Sequence, residues 1–222
     1  MTKKKTCKDI TQHCFEVELQ QGKTLADSAA GLPTLERYDV SSMANTTKWS
    51  NGKFREIYHI DSKALVADYA KGLPGLKAKF SQIQAPIYFS SLWQWGLPTT
   101  PVKANGTCRI KRMSSSDVPI SFRYVAKDFG PGVQAVANAR LDINLLLQGV
   151  LKGGYDDHSL DWWMEKLLGL GREFGENVLF SLEFGYDGRD PSAIRPSQLG
   201  VKMIAFKEYR AETDFSHILY SQ

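Results

Sequence analysis

The stretch Asp161–Phe184 constrains this chain more than any other. Ser159 is a good N-cap, and Leu160, Trp163, Met164, Leu167 and Leu168 then share one face at helical spacing. Gly169 is the expected C-terminal stop. Gly169, Gly171 and Gly175 surround Arg172, which predicts a loop whose backbone can approach a bulky anion while the guanidinium supplies the charge. From Val178 the apolar residues Val178, Phe180, Leu182 and Phe184 alternate, the two-residue period of a half-buried strand. Helix, glycine-rich loop, strand is the expected order. Glycine also ends helices for structural reasons alone, so the loop by itself does not establish an anion site.

A chain of 222 residues makes one large domain or two small ones, and a single domain over 1–222 is expected. Hydrophobic content of 42% and charged content of 23% fit a globular protein. The net charge of +4 permits an anionic partner without requiring one. Local clustering says more. Between Val102 and Lys127, the bases Lys103, Arg109, Lys111, Arg112, Arg123 and Lys127 face Asp117 alone. The basic segment Met1–Lys8 has no apolar run behind it, so no secretory signal is expected. No stretch is apolar for long enough to predict a membrane-spanning helix. Cys7, Cys14 and Cys108 are too scattered for a zinc knuckle or a disulfide framework and read as reduced thiols of a cytoplasmic protein.

Along the chain, strands dominate the reading. His13–Gln20 alternates Phe15, Val17 and Leu19 against Glu16 and Glu18 and predicts a strand. Residues 21–53 are rich in Gly, Ser, Thr and Asn and predict a loop-rich insertion. Phe54–Ile60 predicts a strand, followed by a helix at Lys63–Lys71 capped by Asp61 and Ser62. A β-rich middle at 85–127 holds the aromatic run Ala85–Trp95 and strands at Thr107–Met113 and Pro119–Val125. Phe129-Gly-Pro-Gly132 predicts a loop. Ala139–Gln148 alternates Leu141, Ile143, Leu145 and Leu147 and predicts a strand, as does Leu199–Glu208. Many strands with two or more short helices predict an α+β fold with an antiparallel sheet.

Familiar catalytic signatures are missing. There is no P-loop, no dinucleotide fingerprint, no His-Glu-x-x-His and no nucleophile elbow. His13, His59, His158 and His217 form no metal-ligand pair, so neither metal nor cofactor is expected. Asp156-Asp157-His158 precedes a helix and is explained by the helix dipole. Tyr58-His59 with Lys63 is the one constellation suited to metal-free RNA cleavage, with His59 taking a 2′-hydroxyl proton and Lys63 stabilising the developing phosphorane. Trp93 and Trp95 can stack on bases or belong to a core. Such residues more often belong to a core, and the closeness of Arg109-Ile-Lys-Arg112 adds slightly to the reading as a single-stranded RNA surface, through phosphate neutralisation plus stacking.

The order of a strand near the N-terminus, a basic middle, Phe129-Gly-Pro-Gly132, a helix, Gly169–Gly175 and a closing strand resembles the RAMP superfamily of CRISPR-associated proteins. It is most similar to the small subunit that grips the crRNA 5′ handle, including the type IV form, with Lys111-Arg112 and Gly130-Pro131 in comparable order. The resemblance covers mainly residues 107–184. It implies a ferredoxin-like core and a non-catalytic RNA-binding subunit of a ribonucleoprotein effector complex, with crRNA and neighbouring subunits as partners. Arg109, Lys111, Arg112 and Arg172 would then bind phosphates, Gly169, Gly171 and Gly175 would allow close approach, and Trp93 or Trp95 would stack. Glu173 and Glu176 depart from the more basic loops of that family. Two other functions remain open from the residues: a metal-free endoribonuclease using His59, and a structural protein such as a phage or virion component.

Overall fold

The computed structural model describes residues 10–91, 102–104, 107–112, 120–139, 142–148, 150–151, 155–157, 159–166 and 170–215. It begins with a long helix, α1 (Ile10–Ala30), where alternation predicted a strand followed by loop. The positions that lose solvent are Thr11, Phe15, Glu18, Leu19, Gly22, Lys23, Ala26, Ala29 and Ala30, recurring every three or four residues as on one face of a helix. That stripe is small and polar rather than apolar. The residues that suggested a strand mislead because Val17 points outward, 41% exposed. Gly22 explains why α1 can lie close against the next long helix, α3 (Tyr58–Gly72). A Cβ there would sit 2.2 Å from Cγ2 of Val66.

Between these helices the chain forms β1 (Tyr38–Ser42) and a single turn of helix, α2 (Thr46–Trp49). After α3 come α4 (Pro74–Lys77) and β2 (Phe80–Gln84). β1 and β2 run parallel, in register from Tyr38↔Phe80 to Ser42↔Gln84. Parallel neighbours need a crossover, which the helical segment between them supplies. The chain continues through β3 (Ile87–Tyr88), β4 (Val102–Ala104), β5 (Thr107–Arg112), β6 (Ile120–Arg123) and α5 (Val125–Asn138) to β7 (Asn144–Leu146). β7 lies parallel on the other side of β2, with Gln82 opposite Asn144. The order β1-β2-β7 is therefore an all-parallel sheet.

Helices cover two faces of this sheet. On one, Ala26 of α1 and Ala67 and Ala70 of α3 pack with Phe80, Tyr38 and Val40. On the other, Val136 and Val133 of α5 pack with Ile83, Leu145 and Leu147. Burial on both faces explains why β7 reads as a continuous buried run and not as an alternation. The antiparallel, ferredoxin-like α+β core expected from the sequence is thus replaced by a parallel sheet between helical layers. Antiparallel pairing among the described residues is confined to β4 with β5 and to β6 with β8 (Val150–Leu151). β5 also pairs in parallel with β9 (Tyr155–Asp157), as β3 does with β6.

Two further expectations change for stated reasons. Phe129-Gly-Pro-Gly132 lies inside α5, not in a loop. Gly132 is there because a Cβ would come within 2.9 Å of Leu147, so the missing side chain lets α5 approach β7. The glycine-rich loop and strand at 169–184 are instead a helix, α7 (Gly171–Phe184), which follows α6 (Leu160–Lys166). Phe180 and Phe184, four residues apart, stack on each other, and Phe54 meets both rings edge-on. A strand would hold residues four apart about 13 Å from each other, whereas a helix stacks them one turn apart, here with ring centroids at 5.6 Å. Ser159 does cap α6, accepting from the N–H of Trp162 at 3.3 Å. The expected strand at 199–208 is replaced by a 3-10 turn at Pro196–Leu199, and the chain then forms α8 (Phe206–Glu212). Among the described residues, no helix is long and apolar enough to cross a membrane.

Candidate functional site at the carboxyl edge of the parallel sheet

In an open parallel sheet, ligands bind outside the carboxyl ends of the strands. Here the last rung is Ser42 of β1 opposite Gln84 of β2. Both are buried polar residues. Ser42 Oγ donates to the backbone carbonyl of Lys63 at 3.3 Å, which seats the first half of α3 at this edge. The loop after β1 is fixed by Asp61, 5% exposed, on α3. Its carboxylate accepts from the N–H and hydroxyl of Thr46, at 2.6 and 2.7 Å, and from those of Thr47, at 3.2 and 2.6 Å. The sequence predicts Asp61 as a helix cap. It lies instead inside α3 and satisfies the orphan N–H groups at the start of α2.

Lys63 and His59 share one face of α3, four residues apart. Lys63 Nζ donates to the His59 carbonyl at 2.9 Å and pairs with Glu18 of α1 at 2.7 Å. Glu18 also accepts from Ser62 Oγ at 2.5 Å. Burial tends to raise the Glu18 carboxyl, but the hydrogen bonds from Lys63 and Ser62 outweigh it and hold the group below its ordinary value. His59 is gripped from the other side. Oε1 of Glu173, on α7, accepts the His59 backbone N–H at 2.6 Å and lies 2.5 Å from Nδ1 of the ring. The imidazole stacks on Phe174, with centroids 5.3 Å apart. A carboxylate on Nδ1 orients an imidazole and leaves Nε2 as the working nitrogen. The His59 side chain is 36% exposed, whereas Glu173 is 7% exposed.

The edge therefore offers an ammonium and an oriented imidazole, backed by two carboxylates, with the buried Ser42 hydroxyl seating α3 beneath them. Of these, His59 and Lys63 were legible as a pair. Glu18, Ser42 and Gln84 were not, because their proximity comes from register and helix packing. Among the described residues, no group of three or more His, Cys, Asp or Glu could hold a metal ion.

Of the residues predicted to bind RNA, three lie on the helix that carries Glu173 and Phe174. Gly171, Arg172 and Gly175 lie in the first turns of α7, with both glycines buried. Arg172 Nε is held by Glu56 at 2.9 Å and Glu176 at 3.0 Å, and these pairs raise the guanidinium above its ordinary value. Arg109, Lys111 and Arg112 lie on β5, in register with Val102, Asp156 and Asp157 respectively. Trp93, Trp95 and Gly169 lie outside the described residues.

Residues 8–156 match the model of the NmrA-like family. The chain belongs to the NmrA-like family. No curated protein matches it in sequence. Among solved structures, it is similar to NmrA, a negative transcriptional regulator, in complex with NADP. That match has a TM-score of 0.61 at 18% identity and covers 88% of this chain and 69% of the other. The trigonal form of NmrA in complex with NAD matches with a TM-score of 0.55 at 19% identity, covering 90% and 68%. These likenesses show the fold. Together with the family match they overturn the resemblance to the RAMP superfamily, since a parallel sheet between helices is not a ferredoxin-like core. The crRNA-binding subunit, its ribonucleoprotein partners, the His59 endoribonuclease and the phage or virion component fall with it.

Proposed function

We propose that this chain binds a nicotinamide dinucleotide at the carboxyl edge of its parallel sheet and acts as a dinucleotide-responsive regulator of transcription. The observation that carries this reading is the placement of Ser42, Lys63 and His59 together at that edge. Support comes from the NADP and NAD held by the similar NmrA structures. The donor set fits one half of such a ligand: an ammonium and an imidazole suit ribose hydroxyls and a carboxamide. The pyrophosphate half asks for a glycine-rich turn at a helix N-terminus, and this sequence has no such fingerprint. When bound, the dinucleotide supplies hydride chemistry. This chain's residues bind and orient it. Lys63 would hold ribose hydroxyls, Ser42 seats the start of α3, and Glu18 and Glu173 keep Lys63 and His59 in place. A cytoplasmic location belongs to the same reading and agrees with the free thiol of Cys14.

Calorimetric titration with NAD, NADP and ADP tests the proposal. Dinucleotide binding that weakens about tenfold in Lys63→Ala, roughly 1.4 kcal/mol, supports it. Equal binding by wild type and variant, or none by either, refutes it.

A further inference from the structure

We infer that the outward face of α1 is the contact by which two copies of this chain pair, helix against helix and antiparallel. Four of the seven large hydrophobic side chains exposed among the described residues belong to this one segment. They are Ile10, Val17 and Leu25 on α1, and Leu32 just past its end, 68%, 41%, 66% and 52% exposed. Scattered singly, such residues need no explanation, but a contiguous patch marks an interface. With the exposed Cys14, Gln21 and Ser28 they recur at steps of four, three and four residues, taken twice. Each set of three steps spans eleven residues, about three turns of helix, so the row from Ile10 to Ser28 stays on one side of α1. It lies away from Gly22 and Ala26, which α1 turns to α3.

The row carries no Asp, Glu, Lys or Arg. Glu18, Lys23 and Asp27 of α1 turn to α3 instead. Glu18 pairs with Lys63 at 2.7 Å, Asp27 accepts from the Tyr69 hydroxyl at 2.7 Å, and Lys23 lies 5.2 Å from the centre of the Tyr69 ring. Ser28 Oγ donates to the Thr24 carbonyl at 2.9 Å, so covering it leaves no donor unmet. Depletion of charge around apolar side chains is the composition of an interface centre.

The spacing says which partner fits. Steps of four, three, four, four, three and four read the same in both directions, with Gln21 at the middle. A two-fold axis through Gln21 sets two α1 helices antiparallel. It brings Val17 level with Leu25 of the other copy, Cys14 with Ser28, and Ile10 with Leu32. Every large apolar side chain then faces another, and the small Cys14 and Ser28 face each other. Gln21 meets its own twin. A carboxamide both donates and accepts, so the two bond reciprocally, and one polar residue in an apolar seam fixes the register. An unrelated partner has no use for this symmetry, whereas an isologous pair requires it. A helix of 21 residues is roughly 32 Å long and presents on the order of 300 Å² per copy. A standard stable interface covers about 800 Å² per partner, so this dimer forms reversibly with concentration and is not obligate.

Sedimentation equilibrium of the full chain tests the inference. Between about 5 and 500 µM the wild type is expected to pass from monomer to dimer. Val17→Lys and Leu25→Glu each set a charge against an apolar side chain and should raise the dissociation constant about tenfold or more. Both positions are exposed, so far-ultraviolet circular dichroism should not change. Combined in one chain, the two substitutions face each other across the axis as ammonium and carboxylate, and dimerisation should return. Gln21→Cys, in a chain whose Cys7, Cys14 and Cys108 are replaced by serine, should give a disulfide-linked dimer on mild oxidation, whereas Glu16→Cys in that background should not. A chain that stays monomeric, or a dimer that survives both single substitutions, would overturn the inference. So would single variants that weaken it without recovery in the combined one, or a failure to cross-link through position 21.

Discussion

Replacing Asp61 by Asn is the sharpest single perturbation of this edge. The side chain keeps its shape and loses two properties: its charge and half of its acceptor capacity. In the wild type both oxygens accept, taking two backbone N–H and two hydroxyl donors from Thr46 and Thr47. An amide offers one oxygen, and its NH2 meets donors on the other side. Thr47 can turn its hydroxyl to accept, but its N–H cannot, and Thr46 is 0% exposed, so water cannot replace a bond lost there. One unsatisfied N–H costs about 1–3 kcal/mol, and the loss of charge assistance about 1 kcal/mol more. The expected destabilisation is about 2–4 kcal/mol. For a protein of this size that lowers Tm by roughly 4–16 °C. Urea unfolding gives the energy, and the m-value should not change. Because Asp61 stands two residues before Lys63, dinucleotide affinity should fall as well. A variant within about 0.5 kcal/mol of wild type would show that the loop after β1 is held by something else.

Further outcomes follow from other contacts. Gly75→Ala places a Cβ 2.5 Å from the Ala30 carbonyl oxygen, a backbone atom that cannot swing aside, and should cost about 1–3 kcal/mol in chemical denaturation. Glu173→Gln leaves Nδ1 of His59 facing an amide. The lost charge assistance should cost about 1 kcal/mol in urea unfolding, and an unchanged midpoint would contradict the contact. Asp128 is pushed above the ordinary carboxylate value, mainly by burial. Its contribution to stability is present below the ordinary value and lost as pH rises through the raised one. Asp128→Asn should therefore gain on wild type between acid and neutral pH, read as the difference in urea midpoints. Arg37 donates to the last carbonyls of α5, at 2.8 Å to Val136 and also to Ala139. Arg37→Met should cost about 1–2 kcal/mol and raise amide exchange in the last turn of α5.

How much of this was legible in the residues can be judged element by element. The strands at 107–112 and 120–123 were, because they carry short apolar or β-branched runs between turn residues. The Ser159 cap was, since an N-cap is a local bond. The helix at Lys63–Lys71 was, although its start at Tyr58 was hidden by Phe54–Ile60, which reads equally well as a strand. α1 was not, because it buries glycine, alanine and a carboxylate against α3 rather than an apolar stripe. α7 was not, because three glycines look like a loop until Glu173 and Phe180 find partners on other segments.

By itself the sequence determined the Ser159 cap, a helix over Lys63–Lys71 and the short strands at 107–112 and 120–123, and it carries no glycine-rich phosphate turn. These are properties of neighbouring residues, and local sterics and capping decide them. Only the tertiary structure decided that β1, β2 and β7 run parallel and that Ser42, Lys63, His59, Glu18 and Glu173 meet at one edge. Strand direction depends on pairing across some sixty residues, as between Gln82 and Asn144. Side chains point to alternate faces in both kinds of strand, and the cover on both faces that buries all of β7 is set by elements distant in sequence.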